Sequence, residues 1–471
     1  MKKTISLITV LALMLSVISA FAINAFAADD AIVGSGTAAD PYLIGSKAAL
    51  AAFAAAPADG AYYKLTADIA WSDYKQGGAA PAASNWTPIT FKGTFDGNGH
   101  TVSGLYFNDP AVSYVGFFGV ANGVIKNLTI KDSTFIGKSY VAGIVAGMES
   151  SEDKTAPATL TVENCVNYAD VTGSVKDSYA GGVAGGLWAS PASDPPKFVS
   201  VTVSQCVNYG KVTSTTGNSH IGGVVARLIA MNGVIDQCAN FGDVTGVSAI
   251  AGGIVGQVGR DNETVEGYTY TVSNCFNAGK VTVADVVGGI VARGYNPVKI
   301  ENCVNVGVVN ATKNNGVRFG PMDGHSVSTV ANCFYLEGCA ANANDATLVG
   351  TGSLGNAAAK SLAEINSAAT ASALGDKWEY NETDGLTLKF LATASTAPET
   401  TAPETTAPAA PETTAPAAPE TTAPSAPETS APTTTPVKPS NPNTGDASAI
   451  ILAAVCVAGL AAVMVTKKKE R

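Results

Sequence analysis

One arrangement of apolar and polar positions recurs through the chain. An aliphatic residue (Val162, Val203, Ile235, Val272, Ile300, Val330) stands three places before a cysteine (Cys165, Cys206, Cys238, Cys275, Cys303, Cys333). An amide side chain immediately precedes each cysteine: Asn164, Gln205, Gln237, Asn274, Asn302 and Asn332. In the first five units an Asn follows two places later, at Asn167, Asn208, Asn240, Asn277 and Asn305. Successive cysteines are 41, 32, 37, 28 and 30 residues apart, and an earlier unit carries Leu128 in the cysteine position. A glycine-centred apolar block alternates with this one, as in Val141–Val145, Ala180–Ala184, Ile221–Val225, Ala251–Val255 and Val287–Val291. Each unit therefore reads as short strand, turn, short strand, glycine bend, short strand. Strands so short bury no face alone, so the units must stack on their neighbours to build a core. The unequal spacing predicts loops that bulge outward, the longest around Ser150–Pro157 and Ser190–Lys197.

Short helices are expected at both ends of the stack. Ser46 opens an Ala-rich run with Leu50 and Phe53, and Ser361-Leu362-Ala363-Glu364 is a capping box. Such covers protect terminal strands from pairing with other chains. The repeat body spans 28–392. From 393 to 440 Thr, Pro, Ala and Glu leave almost nothing to build a core from, which predicts a disordered stalk biased toward polyproline II. Fully extended, it reaches about 100–150 Å.

Residues 1–27 read as a signal peptide, with Lys2 and Lys3 ahead of an apolar run that closes on Ala25-Phe26-Ala27. Cleavage is expected between Ala27 and Ala28. At the other end, 447–466 is apolar and uncharged, long enough to span a bilayer core, and a basic tail follows. Immediately upstream stands Asn441-Pro442-Asn443-Thr444-Gly445. This arrangement over 441–471 resembles the LPXTG cell-wall sorting signal, with Asn441 where that family usually carries Leu. The resemblance implies that a sortase cuts between Thr444 and Gly445 and joins Thr444 to peptidoglycan. It places the protein at the surface of a Gram-positive cell, in the membrane only through the span before cleavage. A plain tail anchor is the alternative.

The repeats themselves resemble the GLUG-type repeats of bacterial surface proteins, which also occur beside IgA1-specific metallopeptidases. Gly36–Ile44 resembles that family's opening strand, Thr94–Leu105 its first full coil, and Asn332-Cys333-Phe334-Tyr335 with the later Trp378 its closing unit. The implied fold is all-β, a right-handed parallel β-helix or close β-solenoid relative.

Composition narrows the function. Only 14% of residues are charged, 49 are glycine, and the net charge is −10. Such a surface lacks the basic footprint of a nucleic-acid binder. The histidines His100, His220 and His325 are scattered and form no His-Glu-x-x-His motif. No metal site, cofactor or catalytic residue is assigned. Equivalent cysteines on adjacent coils would sit about 4.8 Å apart with parallel Cβ vectors, which suits a reduced structural ladder better than a bridge. That reading needs a bend at the preceding Asn or Gln, because strict alternation would turn Cys outward. Cys333 and Cys339, close in sequence and off the regular pattern, are the best candidates for a disulfide. The Asn two after each Cys are expected to form a turn ladder, since Asn tolerates left-handed backbone.

For binding, Trp71, Tyr74, Trp86 and Trp188 are the candidate ligand aromatics, suited to stacking on sugars or filling a protein hot spot. They serve equally well as covers for the solenoid. The first functional expectation is a non-enzymatic adhesin or interaction scaffold whose partner is a host or microbial glycan or glycoprotein. The alternatives are a surface-tethered carbohydrate-active β-helix enzyme, using charged residues such as Asp170, Lys211, Arg227, Asp243, Arg260, Asp261 and Arg293, or a structural spacer with no specific ligand.

Overall fold

The computed structural model describes residues 32–391 except 191–192, 195, 260–266, 296–297, 313–317, 321, 327–328, 343–344 and 350–356. The signal peptide with its Ala27–Ala28 site, the stalk, the sorting motif at Thr444 and Gly445 and the 447–466 span lie outside the described residues. No helix among those described is long and apolar enough to cross a membrane.

The chain winds into a parallel β-helix with three faces, formed among the described residues by sheets of 16, 10 and 11 strands that we call A, B and C. One coil shows the course. Ala158–Glu163 lies in A, Val166–Asn167 in B, and Asp170–Gly173 and Tyr179–Gly181 in C, before Ala184–Trp188 returns to A. The next coil repeats it in parallel register, with Val162 beside Val203, Val166 beside Val207, Val171 beside Val212 and Ala184 beside Val225.

Stacking in register turns each repeat position into a continuous row. Phe95, Ile125, Val162, Val203, Ile235, Val272, Ile300 and Val330 form one such row, all buried. β-Branched side chains suit this pleated, two-sided crowding, and each fully buried aliphatic side chain contributes about 1.5–3 kcal/mol.

The turn from A to B explains the amide–cysteine pair. Asn164, Gln205, Gln237, Asn274, Asn302 and Asn332 all lie in the left-handed region, at φ 49–53°. That bend breaks strict alternation and turns the following cysteine inward, where all six are buried free thiols. The left-handed residue is thus the one before Cys, which corrects the expectation that the Asn after it would play this part. Burial in the core raises the pKa of the Cys206 and Cys275 thiols. Cys333 and Cys339 are also free and end two different rows. Cys333 Sγ accepts from the Cys303 amide at 3.4 Å, whereas Cys339 Sγ accepts from Asn305 Nδ2 at 3.4 Å.

The Asn residues after each Cys point inward instead and bond to one another. Asn167 Nδ2 donates to Asn208 Oδ1 at 2.9 Å, Asn208 to Asn240 at 2.8 Å, Asn240 to Asn277 at 2.9 Å and Asn277 to Asn305 at 2.7 Å. Each Nδ2 gives its second bond to a backbone carbonyl two residues on, as Asn240 does to Gly242 at 2.9 Å. All five amides are fully buried. The glycine block faces this ladder. A Cβ on Gly143 would stand 1.9 Å from Asn167 Oδ1, and one on Gly223 would stand 2.3 Å from Asn240 Cγ.

Helices close the body as anticipated. Ser46 caps Lys47–Ala55, whose Leu50 and Phe53 are buried, Phe53 among Tyr63, Phe91, Phe95 and Phe118. The Ser361–Glu364 capping box opens Leu362–Ile365, and the later Trp378 packs edge-on against Phe276 at 6.2 Å.

Two measurements check this packing. Asn240→Ala removes two donated bonds and leaves the Asn208 donor short of an acceptor, so it should cost about 3 kcal/mol, with Gly223→Ala costing at least as much. Urea denaturation should show both losses, and exposed Lys280→Ala should leave the midpoint unmoved. Iodoacetamide should leave the seven described cysteines unmodified in the native protein and label them after denaturation, read by mass spectrometry.

Candidate binding cleft

The strands of sheet A are split in the coils that follow Phe118–Lys126. That strand pairs at one end with Val145–Gly147 and at the other with Ala158–Glu163. The two expected loops therefore leave from the middle of one face, one directly above the other. They are tied together: Phe198 N donates to Ser151 O at 2.7 Å, Ser151 N donates back at 3.0 Å, and Lys197 pairs with Glu152.

Between these loops and the edge of sheet C lies a cleft of about 290 Å³, lined by Tyr114, Tyr140, Met148, Ser150, Gly186, Trp188, Ala189, Ser190, Ser193 and Lys197. Tyr114 and Tyr140 occupy equivalent positions on successive coils and stack at 4.4 Å, 16° from parallel. Tyr179 continues the row at 4.9 Å from Tyr140, and His220 follows at 5.4 Å from Tyr179. Glycines on the facing A strands make room for the rings. A Cβ on Gly147 would stand 2.7 Å from the Tyr114 ring, and one on Gly186 equally close to Tyr140.

Both stacked tyrosines hold left-handed backbone, φ 61° at Tyr114 and 56° at Tyr140. A bulky residue there is strained by about 1–3 kcal/mol, a cost the surrounding structure must hold in place. Tyr114 remains 39% exposed although Tyr140 covers one face. It also borders a second hollow of about 580 Å³, with Pro88, Phe107, Asn108 and Asp109 among its walls.

Further along, an arginine replaces the glycine. Gly147, Gly186, Arg227, Gln257 and Arg293 occupy one register row of sheet A. Arg227 donates to Tyr179 Oη at 2.9 Å, and its guanidinium lies 5.3 Å from the Tyr179 ring and 5.0 Å from Trp188. Trp188 in turn donates from Nε1 to Tyr140 Oη at 3.1 Å. Burial, followed by the charges of Arg227 and Arg293, lowers the His220 pKa to about 3, so this imidazole is neutral at ordinary pH. Burial also raises the Tyr140 phenol, which stays protonated.

Of the four candidate aromatics, only Trp188 reaches the cleft. Trp86 is buried, stacked 5.1 Å from Phe117 and meeting Trp71 edge-on at 5.0 Å. Trp71 donates to Asn85 O, and Tyr74 shares a bond with Thr134 Oγ1 at 2.8 Å. These three close the Gly/Ala/Pro-rich excursion over the N-terminal coils. Tyr114, Tyr140 and Tyr179 are not among the candidates that the sequence offers, and His220 stands there only as one of three scattered histidines. Their signal is visible once the repeats are aligned on the glycine block: Ser113-Tyr114, Ser139-Tyr140, Ser178-Tyr179 and Ser219-His220 each stand directly before it.

Asp170, Lys211 and Asp243 do not join the arginines in one site. Asp170 accepts from the Lys211 amide at 3.0 Å and Asp243 from the Lys280 amide at 3.3 Å, each joining successive coils. Arg227 and Arg293 share the row above, while Arg260 and Asp261 fall outside the described residues. Among those described, no group of three or more His, Cys, Asp or Glu side chains could hold a metal ion.

No family model matches the chain. It is 33% identical over 150 residues to Halomucin of Haloquadratum walsbyi, covering 30% of this chain and 2% of that protein. It is 31% identical over 123 residues to a "putative Gly-rich membrane protein" of Evansella cellulosilytica, covering 24% of this chain and 14% of that one. The chain thus spans only a small part of either relative. Among solved structures it is similar to a "putative immunoglobulin A1 protease" of Bacteroides ovatus, with TM-score 0.50 and 19% identity over 76% of this chain and 94% of that one. That likeness supports the β-helix fold.

The depressed pKa of His220 has a consequence for stability. Its unfolded value, about 6.5, lies above its folded one, so the unfolded chain binds more protons between the two and stability falls as pH drops through that window. From about pH 7 to about pH 5 the wild type should lose about 2 kcal/mol from this group. His220→Gln should lack that component, as read from urea midpoints at the two pH values.

Proposed function

We propose that this chain is a non-enzymatic surface protein, covalently anchored to the cell wall, that binds a glycan or glycoprotein in the cleft beside Tyr114 and Tyr140. The observation that carries this reading is the stacked tyrosine pair, held in left-handed backbone over two glycines and bordered by open space on both sides. Aromatic rings fixed by a rigid scaffold offer large apolar contact area at small entropic cost. Stacking on a ring face suits the apolar side of a sugar. The stiff β-helix serves as the scaffold, and the 393–440 stalk carries it out from the wall.

A relative named as a membrane protein agrees with the surface location that the sorting-type C-terminus implies. The preference for binding over catalysis rests on the carboxylates. Asp170 and Asp243 are engaged in backbone bonds between coils, and the described lining of the cleft includes no Asp or Glu.

The intact chain should be screened against plant, mucin and bacterial glycans, reading retention and cleavage together. We expect retention without cleavage, weakened at least about 10-fold by Tyr114→Ala and by Trp188→Ala. Cleavage of any glycan would overturn the non-enzymatic reading, and retention indifferent to both substitutions would move the site elsewhere.

A further inference from the structure

Resting on the reading of the cleft as a glycan site, we infer that its ligand is an acidic glycan, lying along the A–C corner with carboxylate or sulfate groups over Arg227 and Arg293. The chain carries a net charge of −10 and only five arginines, one of them in the terminal basic tail. Two of the remaining four occupy the same register row, two coils apart, which sets them about 10 Å from each other. A third, Arg318, takes a register position on the facing row of sheet C, beside Val286.

Neither Arg227 nor Arg293 has a carboxylate partner among the described residues. The bonds that Arg227 makes are to neutral groups: its guanidinium bonds Tyr179 Oη and stacks between Tyr179 and Trp188. Arg293 sits 5.5 Å from the Tyr295 ring. The Nε atoms of both are buried and unpartnered. Elsewhere some described lysines face acids, as Lys75 does Asp132, Lys92 does Glu149 and Lys126 does Asp96. At the cleft mouth Lys197 is likewise balanced by Glu152. Both arginines of this register row therefore carry their charge without a carboxylate among the described residues.

Guanidinium is the group best matched to carboxylate and sulfate oxygens, through paired, parallel N–H donors. The corner then divides its labour along the axis. Tyr114 supplies a ring face at the N-terminal end, where Asp109 disfavours a second anion. The arginine row supplies charge at the other. A ligand that satisfies both ends is an extended oligosaccharide with an acid group on the residue over Arg227. One acid group further along would meet Arg293.

Calorimetric titration of the intact chain tests this with oligogalacturonate, its methyl-esterified neutral counterpart, and a sulfated galactan oligosaccharide beside its desulfated, neutral form. We expect an acidic form to bind at least about 10-fold more tightly than its neutral match, with affinity falling as salt is raised. Arg227→Gln and Arg293→Gln should each weaken that binding about 10-fold. The preferred acidic probe separates carboxylate from sulfate. Thermal melts of both variants accompany the titrations, and Arg293→Gln carries the test if Arg227→Gln melts early. Equal affinity for charged and neutral forms, lost in Tyr114→Ala but untouched by either arginine substitution, would overturn the acidic ligand and leave the glycan reading standing. Binding of none of the four probes, with the broader glycan screen also silent, would overturn both.

Discussion

The interior amide ladder is the constraint on which the rest of this molecule depends. An Asn side chain buried at each of five successive coils has two donors and an acceptor to satisfy, and leaving any of them unmet costs about 1–3 kcal/mol. The solution is one in which each amide bonds its equivalent on the next coil and a carbonyl of its own turn. That geometry works only when successive coils are in register. Slipping one residue would set an aliphatic or aromatic side chain against each amide of the ladder. The ladder therefore specifies register more sharply than the aliphatic rows do, since hydrophobic contact is not directional.

The same ladder dictates sequence elsewhere in the repeat. Its amides lie so close to the opposite bend that no side chain fits there, and Gly143, Gly182, Gly223 and Gly253 follow. The turn after each Asn is equally tight: a Cβ on Gly210 would stand 1.9 Å from the Ala169 carbonyl. Cysteine plays a quieter part. After the left-handed bend a small, apolar side chain is needed beneath the turn, and a thiol fills that place while sharing weak bonds with nearby carbonyls.

Regular stacking alone would leave a featureless rod. Individuality enters where sheet A is split, because insertions there leave the register of the flanking strands intact. Two stacked loops raise one wall of a cleft, and the adjacent corner supplies tyrosines on one side and glycine or arginine on the other. Substituting a single register position from glycine to arginine, between Gly186 and Arg227, changes the corner from an aromatic shelf to a cationic one without disturbing the backbone. A solenoid can vary its ligand in this way while keeping its fold.

The sequence by itself determined the architecture, because a repeat is a periodic signal and each of its positions answers to a local rule. Aliphatic alternation, a left-handed amide bend, glycines and helix caps all act within a few residues. Both long loops and both kinds of cap were legible for that reason. Legible too was the inward turn of Cys165 and its equivalents, once a bend at the preceding amide was assumed. What only the tertiary structure decided is which residues meet across coils. Tyr114, Tyr140 and Tyr179 are far apart in the chain and become neighbours only through the register, while Trp71 and Trp86, prominent in sequence, are drawn into packing. The direction of Asn167 and its equivalents was settled in the same way: an amide that could serve a turn locally finds its partners only when the next coil arrives.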